Sequence, residues 1–222
     1  MAIFSGNALK LIAAALMLID HVGLIFFPDN MVFRMIGRPA LPIFAFFIAE
    51  GCRYTRSRAR YFGMIFLLAV ICQIVYFVVD GSMYLSVLFT FSASILCIFA
   101  LQYAQAKRTA LSALVFAGAV AGVYLANRLV TIDYGFWGCM TPVFAALLRN
   151  TRFDRRWINT LMLGAGLVIL ALDLGGRQFW ALLAIPLLLL YSGRRGKWRM
   201  KYFFYIFYPL HLAALQLIAW MG

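Results

Sequence analysis

The hydrophobic positions of this chain fall in long unbroken runs, separated by short polar and basic stretches. Nine runs are readable, at residues 8–27, 38–53, 60–79, 85–104, 109–126, 135–149, 157–173, 178–192 and 202–221. A bilayer core about 30 Å thick asks for runs of this kind. In lipid the backbone must satisfy its own hydrogen bonds, so each run predicts a helix. Runs six and eight are near 15 residues and contain Pro142 and Pro186. Proline removes a backbone hydrogen bond and bends a helix. Two readings of these runs stand: kinked packing helices, or short broken spans that line a site. Gly164 and Gly166 in run seven predict close helix contact. No internal repeat is apparent.

Composition agrees with the pattern. The chain has 222 residues, of which 65% are hydrophobic and 12% charged. Its mean hydropathy is +0.92. A soluble domain is nearer a quarter charged, so the expectation is an all-α polytopic membrane protein, with residues 1–222 as a single membrane domain. The formal charge of +13 would suggest nucleic acid in a soluble protein. Here the basic residues alternate by loop. Lys10, the stretches 53–60, 107–108 and 149–156, and the stretch from Arg194 to Lys201 hold 16 of them, and the intervening loops hold Arg34, Arg38, Arg128 and Arg177, which is 4. That is the positive-inside bias. It predicts a cytoplasmic N-terminus and, with nine spans, a C-terminus outside. No nucleic-acid partner is expected. Cys52, Cys72, Cys97 and Cys139 form no CxxC pair and read as small hydrophobes within helices. The first run opens on Lys10, is interrupted by Asp20 and His21, and lacks a small-residue cleavage site, so it reads as an uncleaved first span.

The ionisable residues inside these runs carry the candidate chemistry, because each costs roughly 2.5–3.5 kcal/mol at the centre of a span. Lys10 and His21 are 11 residues apart. At about 100° per residue they share one helix face, separated by about 16 Å. An extended phosphopantetheine arm has about this reach: lysine on the phosphates of coenzyme A, imidazole beside the thioester. Alternatively, Lys10 is an interface anchor and His21 bonds to a neighbouring helix. Asp20 points about 100° away from His21, so it is expected to meet another helix or a basic residue such as Arg34 or Arg38. His21 has the pKa range for a general base. His211 lies about 15 Å into run nine, counted from Lys201, nearly the depth of His21. The two could form one site, or His211 could bond to Tyr205 or Tyr208.

Glu50 is either an ion-pair partner of the basic loop or a site carboxylate, with Gly51 leaving room for a ligand. Arg53 and Arg56 suit phosphate groups at the cytoplasmic mouth. Arg34 and Arg38 lie in the outer loop before a helix that begins near Pro39 and Pro42, a place where an oxyanion or carboxylate could be held. The outer acids Asp80, Asp133 and Asp173 offer a faint attraction for a cationic amine. No metal is expected.

Three stretches carry a family resemblance: LKLIAAALMLIDHVGLIFFP, FRMIGRPALPIFAFFIAEGCRYTRSRARY and KYFFYIFYPLHL. Together they resemble the TraX family, membrane proteins linked to N-terminal acetylation of F-type pilin. The match is strongest over residues 8–62 and 201–212; in the middle only hydropathy agrees. The first span is also similar to that of type-three membrane acyltransferases, which carry a basic residue, ten intervening residues and an essential histidine. Lys10 and His21 fit that spacing, and Arg53 with Arg56 fits an RxxR pattern. The chain is shorter than that superfamily, with nine expected spans rather than about ten.

The resemblance implies a multi-pass enzyme of the bacterial inner membrane that takes acetyl-CoA from the cytoplasm and acetylates an acceptor on the outer side. The acceptor would be a pilin N-terminal amine or another exported amine or hydroxyl. His21 is then the expected base, Lys10, Arg53 and Arg56 the phosphate ligands, Arg34 and Arg38 the anion-stabilising groups. Asp20, Glu50 and His211 complete or orient the site. Two other classes stay open: a proton-coupled transporter or flippase, and a non-enzymatic pilus-assembly factor.

Overall fold

A computed structural model describes residues 3–81, 83–197 and 200–221; Arg199 and the side chains of Asp80 and Lys201 lie outside the described set. Ten α-helices follow in order: α1 (Gly6–Phe26), α2 (Met31–Gly37), α3 (Ala40–Tyr54), α4 (Arg58–Asp80), α5 (Val87–Lys107), α6 (Ala110–Leu129), α7 (Gly135–Leu147), α8 (Arg156–Leu174), α9 (Ala184–Leu189) and α10 (Lys201–Met221). A 3-10 segment, Gly176–Leu183, leads into α9. No strand occurs among the described residues. Isolated parallel bridges pair Phe4 with Tyr191 and Leu85 with Ile132.

Seven helical stretches are long and apolar enough to cross a membrane, and Gly135–Leu147 and Gly176–Leu189 are shorter. This is a multi-pass membrane protein; of the nine expected runs, seven meet the length of a full crossing among the described residues and two are shorter. The two short stretches contain Pro142 and Pro186, although longer ones also hold proline, Pro42 in α3 and Pro209 inside α10. Pro142 lies inside α7. Pro186 falls in the first turn of α9, where the missing N–H costs little, so the α-helix restarts there after a 3-10 run.

The second span also differs from expectation. Met31–Tyr54 is apolar and helical almost throughout, broken only around Arg38 and Pro39. Asn30 begins it: its Oδ1 accepts from the Val32 N–H at 3.1 Å. The turn therefore comes at residues 27–30. Arg34, expected in an outer loop, sits within α2, and Arg38 at the α2–α3 junction.

The chain divides into two compact units, one from Met1–Phe44 with Leu174–Gly222, the other Ala45–Asp173. In the first, α1 packs against α2 and α10. In the second, α5 is central and packs against α4, α6 and α7. Hydroxyls tie α5 to the α6–α7 region: Ser94 Oγ donates to the Cys139 carbonyl at 2.7 Å, and Thr90 Oγ1 to the Asp133 carbonyl at 2.6 Å. Such bonds and close small-residue contacts take over where lipid removes the hydrophobic drive between helices. Gly166 of α8 meets Phe144 of α7, with space for a Cβ only 2.9 Å from the ring. All four cysteines are free and buried. The outward faces of α4 and α6, including Leu67, Ile74, Leu111, Leu114 and Leu125, are exposed and apolar, as lipid requires.

Candidate functional site

In the first unit α1 and α10 bring the two histidines together. Their ring centroids lie 5.0 Å apart at an interplanar angle of 76°. His21 is half-buried and His211 is 6% exposed. The equal depth read from helix rise is thus realised as a direct ring contact. Each Nδ1 lies 2.8 Å from the carbonyl one turn earlier, Met17 for His21 and Phe207 for His211. A carbonyl only accepts, so both Nδ1 atoms carry the proton, and in the neutral ring the lone pair is on Nε2. Nε2 of His211 is buried and has no hydrogen-bond partner among the described residues. Phe207 stacks on the His211 ring at 4.9 Å, and Tyr208 meets it edge-on at 5.6 Å. Bonding to Tyr205 or Tyr208 is replaced by this backbone bond and ring packing. In their neutral form, a bonded and packed pair of imidazoles with free Nε2 lone pairs can accept a proton from an incoming nucleophile.

Asp20 points elsewhere on α1, as the helix geometry predicts. Arg34 donates to its Oδ2 at 2.5 Å, and both side chains are largely buried. Gly37 allows this approach: a Cβ there would stand 2.7 Å from the Asp20 Cα and Oδ1. Arg34 is therefore committed to Asp20, and Arg38 is half-buried beside it in sequence on the junction. Lys10 lies with its Nζ 5.9 Å from the centre of the Phe204 ring on α10. Lys10, Asp20, His21, Arg34, Arg38 and His211 all belong to this unit.

Glu50, Arg53 and Arg56 belong to the second unit. Glu50 Oε1 is 2.6 Å from Arg149 Nη1, and the two residues are 8% and 2% exposed. Arg149 was expected in the cytoplasmic loop after run six. It lies just past the end of α7 and turns inward, its Nε donating to the Ala145 carbonyl at 3.0 Å and its guanidinium 5.7 Å from the centre of the Phe46 ring. Sequence reasoning missed it because a basic residue at a helix end reads as loop charge. The only hint was Glu50, a buried acid needing a partner. Gly51 does not make room for a ligand; a Cβ there would collide with the Tyr61 hydroxyl.

Arg53 pairs with Asp154 at 3.2 Å, and Arg56 is exposed with no ion-pair partner among the described residues. Burial pushes the Asp154 carboxyl up. The Asn150 N–H, the Asn159 amide and the charges of Arg53 and Arg149 outweigh it and hold it below the usual carboxylate value. Asp133 accepts from the Tyr84 hydroxyl at 3.0 Å.

The histidine pair, the Asp20–Arg34 pair and the proline-led start of α3 all fall inside the stretches that resemble a known family. A family model described as TraX protein matches residues 5–219. The chain belongs to the TraX family. Among relatives of this TraX-family chain is a "Probable fimbrial assembly protein FimC, serogroup H1" from Dichelobacter nodosus, 28% identical over 254 residues, covering 96% of this chain and 94% of the relative. An "Uncharacterized protein RP591" from Rickettsia prowazekii (strain Madrid E) is 39% identical over 68 residues, 31% of this chain and 25% of that protein. No solved structure matches.

Proposed function

We propose that this TraX-family protein is a bacterial inner-membrane acetyltransferase that transfers the acetyl group of acetyl-CoA to an exported amine, a pilin N-terminus being the leading acceptor. The observation that carries the reading is the His21–His211 pair, with a buried Nε2 that has no hydrogen-bond partner among the described residues. A buried polar atom without a partner normally has a reason, and a reacting proton is one. The thioester would supply an activated acetyl carbon and a thiol leaving group. His21 Nε2 takes the proton from the acceptor amine as its nitrogen bonds to that carbon, and the protonated imidazole returns it to the departing thiolate. His211 packs edge-on against that ring, and its Nε2, unpartnered among the described residues, is the second base of the pair. To Arg38 and Lys10, cations of the same unit, we assign the oxyanion and the coenzyme, respectively. The positive-inside bias supports an N-terminus and a coenzyme site on the cytoplasmic side.

Acetyl-CoA turnover by the purified protein, read as free thiol, tests this. His21→Ala should lower turnover about 10²–10⁴-fold, the usual share of a general base, with the helical signal unchanged. Turnover equal to wild type would sink the catalytic role of His21. The name of the Dichelobacter relative favours one second reading, a non-enzymatic pilus-assembly factor. It predicts pilin binding that survives loss of both histidines and no thiol release in any variant.

A further inference from the structure

The connection between α9 and α10 reads SGRRGK over residues 192–197. It lies along the first turn of α1. Ser192 N–H donates to the Phe4 carbonyl at 2.8 Å, Gly6 N–H to the Arg194 carbonyl at 2.8 Å and Asn7 N–H to the Arg195 carbonyl at 3.0 Å. Ser5 Oγ accepts from the Ala8 N–H. The first N–H groups of α1 are thus consumed by the chain itself, and the helix end offers no free donors. The loop does. Arg194, Arg195 and Lys197 are exposed, and the N–H groups of Arg195, Gly196 and Lys197 have no partner among the described residues.

The loop is also fixed in shape. Gly193 and Gly196 have φ of +73° and +100°, the left-handed region where only glycine is unstrained. A Cβ on Gly196 would stand 3.0 Å from both Asn7 Nδ2 and Ser5 Oγ. A basic loop that serves only to set topology needs neither glycine nor this clamp. Between loop and helix lies an open cleft of about 260 Å³. It is lined by the polar Ser5, Asn7 and Lys197 and by the apolar Ala8, Leu11 and Met200, with Gly196. Ligand pockets run from about 300 Å³ upward, so the cleft suits one end of a long ligand.

We propose that residues 193–197 are a phosphate-binding loop, and that the cleft takes the nucleotide end of coenzyme A, phosphates on the loop and base on the apolar lining. This rests on the acetyl-CoA reading above. It moves the main phosphate site away from the RxxR pair, whose Arg53 is held by Asp154. Asn7 precedes His21 by 14 residues, about 21 Å along α1, so the nucleotide end would sit at the loop, with the arm passing Lys10, about 16 Å from the imidazole, down the same helix. Anionic lipid headgroups share the phosphate chemistry and are the alternative source.

The test uses the full chain in phosphatidylcholine nanodiscs, with equilibrium binding of coenzyme A to wild type, to Arg195→Ala/Lys197→Ala, to Lys197→Arg, and to the charge-matched Lys107→Ala/Arg108→Ala. The loop double variant should weaken binding about tenfold or more, as loss of charge-assisted hydrogen bonds does, with an unchanged melting temperature. Lys197→Arg and the control should bind like wild type. Wild type binding that the loop variant retains overturns the loop and leaves the acetyltransferase reading standing. If wild type binds no coenzyme A but retains phosphatidylglycerol by native mass spectrometry, and the loop variant loses it, the phosphate loop stands with a lipid ligand and the acetyl-CoA reading falls. Binding of neither overturns both.

Discussion

The two imidazoles are locked by the same device. Each Nδ1–H donates one turn back along its own helix, which fixes ring orientation and tautomer without using a second side chain. Replacing His211 with Phe keeps a ring stacked on Phe207, slightly larger, and removes both nitrogens together with the bond to the Phe207 carbonyl. His211→Phe should leave the melting temperature within a few degrees while thiol release falls about 10²-fold or more, if Nε2 takes part in proton transfer. Retained turnover would make His211 a packing residue. Gly37 is tested separately. A methyl there meets the Asp20 backbone and carboxylate, so Gly37→Ala should push α2 from α1 and destabilise by about 1–3 kcal/mol, seen as a lower thermal midpoint in detergent.

Between elements, the α3–α7 link is an ion pair out of water. Glu50 and Arg149 have little exposure, so removing one strands the other. Glu50→Gln or Arg149→Met alone should cost about 3–5 kcal/mol. The double variant should cost clearly less than their sum, because neither charge is left alone. Strict additivity in thermal unfolding would show the pair to be uncoupled. Asp154 joins Arg53 to the turn before α8. Its carboxyl titrates below the ordinary 3.8. The stabilisation is therefore complete above that value and is lost as pH falls through the lowered one. Asp154→Asn should be less stable than wild type at pH 7 by about 1 kcal/mol, and the gap should close on acidification below pH 4. A gap that stays constant with pH would refute this assignment.

For the molecule as a whole, seven crossings and nine crossings share one consequence: both are odd, so the termini face opposite sides. Cysteines placed at Ile3 and Met221, both exposed, report this with a membrane-impermeant maleimide. The four native thiols are buried and give little background. Ile3→Cys should label only in inside-out vesicles and Met221→Cys only in right-side-out ones. Labelling of both from one side would mean that one short stretch crosses alone, giving an even number.

Hydrophobic run length determined the helices and the membrane setting, because a backbone in lipid has no other way to satisfy itself. Helix rise and the 100° step placed His21 and His211 at one depth and turned Asp20 away from His21, since both follow from local geometry alone. The TraX relationship was legible from the stretches containing these residues. Tertiary structure alone decided the partners. The Arg34 side chain is fixed by where α2 packs on α1, Arg149 by the turn after α7, and Gly51 by the position of Tyr61. The 192–197 loop looked like ordinary cytoplasmic charge. Only its bonds to residues 4–7 show it as a fixed surface, because those contacts join chain segments nearly 190 residues apart and no local pattern records them.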